Sequence, residues 1–298
     1  VVSEFHTVGF AAMGSRCEVV LAATDARAAQ VAAAPAIDEV RRIEHKYSRY
    51  REDSMLSHIN AAAGLHPVAC DHETAALLAY ADTLYNASQG RFDITSGVLR
   101  KAWDFRHGRA PQPGALEDLL PLVGWRVVEH DHDSVYLPLP GMELDFGGFG
   151  KEYAVDRATE ILAAQGVQHG YVNLGGDMRF LGPRPDGTPW QIGVQDPRDM
   201  AATIASIPIS RGALTTSGDY ERFMLIDGQR YCHVLDPRNG MPVTHWRSIS
   251  VVAPLAITAG SFTTSAMLLQ QEGLDFLEHC GMSYLAIDHT GQIFRRTT

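Results

Sequence analysis

Five polar segments rich in glycine or hydroxyl groups carry residue types that chemistry can use, and they cluster toward the second half of the chain. Leu144-Asp145-Phe146-Gly147-Gly148-Phe149-Gly150-Lys151 reads as a strand running into a helix. Its glycines let backbone approach a ligand closely, and a helix start offers free N–H groups to an anion. It lacks both the dinucleotide fingerprint and the Walker spacing, so a tight turn explains it equally well. Asn173-Leu174-Gly175-Gly176-Asp177 closes a strand and reads as a hairpin turn. Thr215-Thr216-Ser217-Gly218-Asp219-Tyr220 reads as hydroxyl-rich local turns after a strand. Tyr231 to Gly240 places His233 in a strand, with Cys232 and Val234 facing the other way. A strand histidine is ordinarily structural, yet His233 and the carboxylate of Asp236 could serve as base and orienter. Ala259-Gly260-Ser261-Phe262-Thr263-Thr264-Ser265 opens a helix, where hydroxyls ordinarily cap and could instead offer oxygen to a hard cation.

Other chemistries are disfavoured. The 13 histidines include no His-x-x-x-His pair, and no Gly-x-Ser-x-Gly elbow marks a nucleophilic serine. Cys17, Cys70, Cys232 and Cys280 form no Cys-x-x-Cys pair, so neither a disulfide scaffold nor a zinc ribbon is written here. With 25 basic against 35 acidic residues, the net charge of −10 argues against a nucleic-acid partner, because phosphate affinity comes from Lys and Arg. The most apolar stretch, Ser248 to Phe262, is interrupted by Pro254 and Gly260, so no transmembrane segment is expected. Val1-Val2-Ser3-Glu4 lacks the basic start and apolar block of a secretory signal, and the chain begins with Val rather than Met, as a processed or trimmed chain would. The compartment stays open on these grounds.

The elements that must position these groups alternate in type. Residues 6–23 read as extended. Helical spacing covers 25–47, with Pro35 a kink or boundary, then 53–62 and 72–87, which Gly90 stops. Residues 106–115 are the clearest loop. Strands are expected at 126–130, 134–139 and 142–146, and a helix from about 150 to 165. Further strands are expected at 170–174, 189–195, 203–209, 222–226, 230–235 and 248–253, with Asp227-Gly228 a hairpin turn. Helices at about 259–271 and 273–279 precede a last hairpin around His289-Thr290-Gly291. A single α+β domain over residues 1–298 is the expectation, with no repeat or linker.

The order of these segments carries more than any one of them. MGS at 13–15, YSRYREDSMLSHIN at 47–60, GRFDIT at 90–95, LDFGGFGKEYAVDRA at 144–158, VNLGGD at 172–177, TTSGDYERF at 215–223, HVLDPRNGMPV at 233–243 and the run from SVVAP to TTSAMLL at 250–269 together resemble the ApbE family of FAD:protein FMN transferases. The resemblance implies an α+β fold related to the T-fold, two-lobed, with mixed or antiparallel sheets, packed helices and an FAD cleft between lobes. It implies cleavage of FAD, release of AMP and attachment of FMN through a phosphoester to a Thr or Ser of a target flavoprotein, with Mg²⁺. By the same resemblance FAD contacts fall at Met13, Tyr50, Arg91, Phe92, Asp93, Asp145, Lys151 and Leu235. His233 matches the base for the acceptor hydroxyl, and Gly148, Thr263 and Thr264 fall at the metal. The periplasm or outer face of the membrane is the implied location, with a cytoplasmic one left open.

Three positions depart from the family pattern, and one of them is Thr263, where some relatives carry an acidic ligand. The Asp that usually stands four residues before the Thr matching Thr264 is Gly260 here, and the usual Lys-Gly pair is Lys151-Glu152. A hard dication draws much of its affinity from carboxylates. An FAD pyrophosphatase giving FMN and AMP, or an FAD-binding protein with little turnover, are the alternatives that Gly260 raises.

Overall fold

A computed structural model describes residues 4–297 apart from Arg106, Met200, Glu221 and Asp227. The chain opens with a hairpin of β1 (Glu4–Ala12) and β2 (Ser15–Ala23). Its two-residue turn puts Met13 and Gly14 at φ 51° and 67°, the twist that suits tight hairpins. Asp25 caps α1 (Ala26–Tyr47) by accepting from Ala28 N at 2.8 Å. Pro35 sits at an exposed position within that helix and does not end it, so it is no boundary. Then follow α2 (Met55–Ala61), β3 (Val68–Ala69) and α3 (His72–Ala87), the last two helices capped by Ser54 and Asp71. A 3-10 helix at Ile94–Lys101, α4 (Ala115–Leu119), β4 (Glu129–His130) and β5 (Ser134–Tyr136) complete the first half.

The second half begins with α5 (Gly150–Ala164), followed by β6 (Gly170–Leu174), β7 (Asp177–Gly182), β8 (Trp190–Gln195) and β9 (Thr203–Ile209). Next come β10 (Gly212–Gly218), β11 (Phe223–Ile226), β12 (Gln229–Cys232) and β13 (Trp246–Ala253). The chain closes with α6 (Ala256–Leu269), α7 (Gly273–His279), β14 (Ser283–Asp288) and β15 (Ile293–Arg296).

One eight-stranded sheet, in the order β1-β2-β6-β7-β10-β13-β14-β15, dominates. All its described pairings are antiparallel. Its two faces follow from the period of two along each strand. Cys17, Val19 and Leu21 of β2 and Ile249 and Val251 of β13 join the core beneath α1, α5 and α6. Val20, Met178, Phe180 and Leu214 face the other way, against Trp190 and Ile209 of the β8-β9 ribbon. A separate apolar cluster of Val98, Leu99, Trp103, Met224 and Leu235 forms the smaller lobe around the 3-10 helix. The α+β, two-lobed, antiparallel expectation therefore holds. No helix among the described residues is long and apolar enough to cross a membrane.

Several local expectations fail for physical reasons. Residues 142–146 run without regular structure and pair with no strand, because side chains from elsewhere satisfy their backbone: Asn60 donates to Leu144 O at 3.1 Å and accepts from Leu144 N at 2.7 Å. Of the strands expected at 126–130 and 134–139, only 129–130 and 134–136 form. Segment 215–220 does not follow a strand; its first four residues are the end of β10. The Thr216 hydroxyl bonds across the sheet to Ser250 at 2.8 Å and Ser217 bonds to Thr263 of α6, and the backbone ladder with β13 holds a composition that favours turns extended. The hydroxyls of 259–265 do not cap a helix, since α6 already starts at Ala256. Its cap is tertiary: Asp156 of α5 accepts from Ala256 N at 2.8 Å and Ile257 N at 2.9 Å. Gly175-Gly176 is the hairpin turn expected, joining β6 to β7. The turn expected at Asp227-Gly228 joins β11 to β12, but Asp227 itself lies outside the described residues.

Candidate active site

Between the large sheet's helical layer and the smaller lobe lies a cleft with about 150 Å³ of water-accessible space, open to solvent. The loop 144–149 forms its floor. Phe149, fully buried, packs against Phe92, Phe146 and Tyr80 and pins that loop from below. A Cβ on Gly148 would stand 2.7 Å from the Phe92 ring, so only glycine lets the loop lie this close. Phe92 lines the cleft, yet most of its surface is spent against protein.

Asp145 meets Arg49 and Arg100, each at 3.1 Å, and accepts from Gly147 N at 2.8 Å. Burial pushes its pKa up, but the two guanidiniums win and hold it below the ordinary carboxylate range. Asp93 is used inwardly, accepting from Thr95 N, Thr95 Oγ1 and Trp125 N, with burial raising its pKa. It caps the 3-10 helix that carries Arg100 into the cleft.

Across the floor, α5 starts at Gly150, so Lys151 and Glu152 stand in its first turn. Lys151 pairs with Asp177, at the start of β7, at 2.8 Å. Glu152 is 8% exposed and its Oε2 finds no hydrogen-bond partner. Desolvation first, and then the Asp177 carboxylate, push its pKa strongly upward; Lys151 offsets only part.

His233 lies just past the end of β12, and His233, Val234 and Leu235 all line the cleft rather than alternating faces. Its Nδ1 is 3.2 Å from the Arg222 carbonyl. A carbonyl only accepts, so Nδ1 carries the proton and Nε2 keeps a lone pair. Burial, then Arg100, Arg222 and Lys151, push its pKa down to about 4, so the imidazole is neutral at pH 7. Asp236 is not its orienter. That carboxylate is buried and holds Arg238 at 2.6 Å within its own turn.

From α6, Thr264 lines the cleft, near Ser217 of β10. Thr263 is fully buried, its hydroxyl 2.9 Å from the Gly260 carbonyl and 2.8 Å from Ser217 Oγ. Among the described residues, the closely grouped His, Cys, Asp or Glu that could hold a metal are exposed Asp131, His132 and Asp133, outside the cleft.

Of the residues singled out by sequence, Phe92, Asp93, Asp145, Gly148, Lys151, His233, Leu235 and Thr264 line one cleft. Met13, Tyr50, Arg91 and Thr263 do not line it. Met13 occupies the β1-β2 turn, its N–H held by Glu44. Tyr50 is 81% exposed beside the Arg49 guanidinium, 5.8 Å from its ring centre. Asp177, Ser217 and Arg100 line the cleft without having been singled out individually; of these, Asp177 and Ser217 lay inside quoted motifs, whereas Arg100 lay outside them.

Residues 13–286 match the ApbE family. A FAD:protein FMN transferase of Klebsiella pneumoniae (strain 342) is 33% identical over 252 residues, spanning 79% of this chain and 78% of that relative. The chain belongs to the ApbE family. A FAD:protein FMN transferase of Escherichia coli (strain K12) is 28% identical over 260 residues, 83% of this chain and 74% of that relative. The crystal structure of the ApbE protein of Thermotoga maritima superposes with a TM-score of 0.88 at 30% identity, covering 98% of this chain and 97% of that one. An ApbE fold is thus carried by nearly the whole chain.

Proposed function

We propose that this chain is an FAD:protein FMN transferase. The observation that carries the reading is His233, a neutral imidazole with its Nε2 lone pair available, on the same cleft as Lys151, Thr264 and the glycine loop. In the step, the hydroxyl oxygen of a Thr or Ser on a target flavoprotein attacks the FMN phosphorus of FAD. His233 Nε2 takes the hydroxyl proton, the bond from that phosphorus to the bridging oxygen breaks, and AMP leaves with the electron pair. Lys151 and the N–H groups opening α5 face the diphosphate, while Leu235 and the edge of Phe92 bound the remainder of FAD. Met13, Tyr50 and Arg91 belong at the rim in this reading. Thr264 and the Gly148 carbonyl, with the unpartnered Glu152 oxygen nearby, form a hard-oxygen donor set that fits Mg²⁺. Bound there, Mg²⁺ supplies charge neutralisation for the diphosphate. A periplasmic or outer-face location goes with this reading and is checked by cell fractionation.

Incubation with FAD, Mg²⁺ and a tagged target domain should yield protein-bound FMN, read by fluorescence and mass. His233→Ala should lower the transfer rate by about 10²–10⁴ while FAD binding persists. Full transfer by that variant would remove His233 from the step. Free FMN without protein-bound flavin would show hydrolysis instead, and intact FAD a binding protein.

A further inference from the structure

We infer that Glu152 is a cation ligand of the cleft, its carboxyl occupying the place that a side chain at position 260 would otherwise take. The inference rests on the proposed divalent-cation site and adds to it a ligand from a different helix. A Cβ built on Gly260 would lie 2.5 Å from Glu152 Cγ, 2.7 Å from Oε1 and 2.8 Å from Cδ. The two positions therefore compete for one volume, and glycine at 260 is what admits the glutamate. Position 260 is one helical turn before Thr264, so a side chain there and Thr264 share a face of α6. Glu152 thus delivers its carboxyl from α5 to the neighbourhood of the Thr264 hydroxyl.

The charge arrangement points the same way. Glu152 is more than nine-tenths buried, lines the cleft, and leaves Oε2 without a partner. Its nearest basic neighbour in sequence, Lys151, is engaged by Asp177 at 2.8 Å. Lys151 can match one of the two carboxylates, and the other is left for a proton or a cation, since buried charges are ordinarily paired or bound to metal. The acid that the family pattern puts at 260 and the glycine it puts at 152 are thereby exchanged between two helices, with the cation's carboxylate retained.

The test is Mn²⁺ and Mg²⁺ binding to the full chain, by calorimetry and by Mn²⁺ electron paramagnetic resonance, with and without FAD. Glu152→Gln keeps the shape and removes the charge, and it should weaken Mn²⁺ binding by roughly tenfold or more. The double variant Glu152→Gly with Gly260→Asp should recover affinity to within about threefold, whereas Gly260→Asp alone should unfold at lower temperature, because overpacking strains a core. Unchanged Mn²⁺ affinity in a folded Glu152→Gln protein would overturn the assignment while leaving the cation site intact. A folded double variant that stays weak would overturn the exchange between helices. Absence of Mn²⁺ and Mg²⁺ binding by the unaltered chain, even with FAD, would remove the site itself.

Discussion

Asp145 and Glu152 lie seven residues apart on one loop-to-helix segment, both on the cleft and both largely buried, yet their surroundings are opposite. Asp145 has two guanidiniums and a backbone N–H, and stays ionised below the ordinary carboxylate range. Glu152 has a second carboxylate for a neighbour and one oxygen with no partner, and tends to hold its proton. Burial alone raises both pKa values; two guanidiniums beside Asp145 outweigh it, whereas beside Glu152 one ammonium is shared with a second carboxylate. One end of the floor is electrostatically complete within the protein. The other is completed by something that arrives.

The largest expected effect breaks the complete end. Asp145→Ala removes the carboxylate shared by Arg49 and Arg100, leaving Arg49 only Glu143, and should cost about 1.5–3 kcal/mol of stability, read from urea unfolding at pH 7. An unshifted midpoint would show that this end is not held by its ion pairs.

A second expected effect links that end to His233, whose imidazole Arg100 helps to keep neutral. Its folded pKa, about 4, lies below the ordinary histidine value. Its contribution to stability is therefore full above the unfolded value of about 6.5 and is lost as pH falls through about 4. The acid limb of the transfer rate should accordingly fall near pH 4, and Arg100→Met should move it upward. An acid limb near 6.5 in the unaltered protein would contradict the electrostatics described here.

The smallest effect has the opposite sign and belongs to the incomplete end. Without added metal at pH 8, Glu152→Gln should be neutral or stabilising by about 1 kcal/mol, since an amide of the same shape carries no charge to desolvate. Chemical denaturation compares it directly with Asp145→Ala. Destabilisation by several kcal/mol would mean that Glu152 is already paired in the metal-free protein.

Much of the frame was legible along the chain. α1, α3 and α5 are announced by apolar spacing and by acid caps or glycine stops, and β6 and β9 by short β-branched and aromatic runs. β10 was not legible, because Thr215, Thr216 and Ser217 favour turns until β13 pairs with them and β7 holds the preceding residues 212–214. The start of α6 was hidden likewise, its cap coming from Asp156 a hundred residues earlier. Arg100 carries no motif of its own; the 3-10 turn capped by Asp93 aims it at Asp145.

By itself the sequence determined the family, through the order of its motifs, and the residue types that the cleft holds. It also showed that an acid was missing at 260 and an extra one present at 152, as two unrelated departures. Only the tertiary structure decided that they are one event. Glu152 and Gly260 are 108 residues apart, and nothing local couples them; the packing of α5 against α6 puts both in a single volume that holds one side chain. The same holds for His233, whose neighbour in sequence, Asp236, turns away to Arg238, while the carbonyl that sets its tautomer and the cations that keep it neutral come from other elements. Spacing along a chain reports which groups exist; distance, burial and charge, which settle what each can do, are properties of the fold.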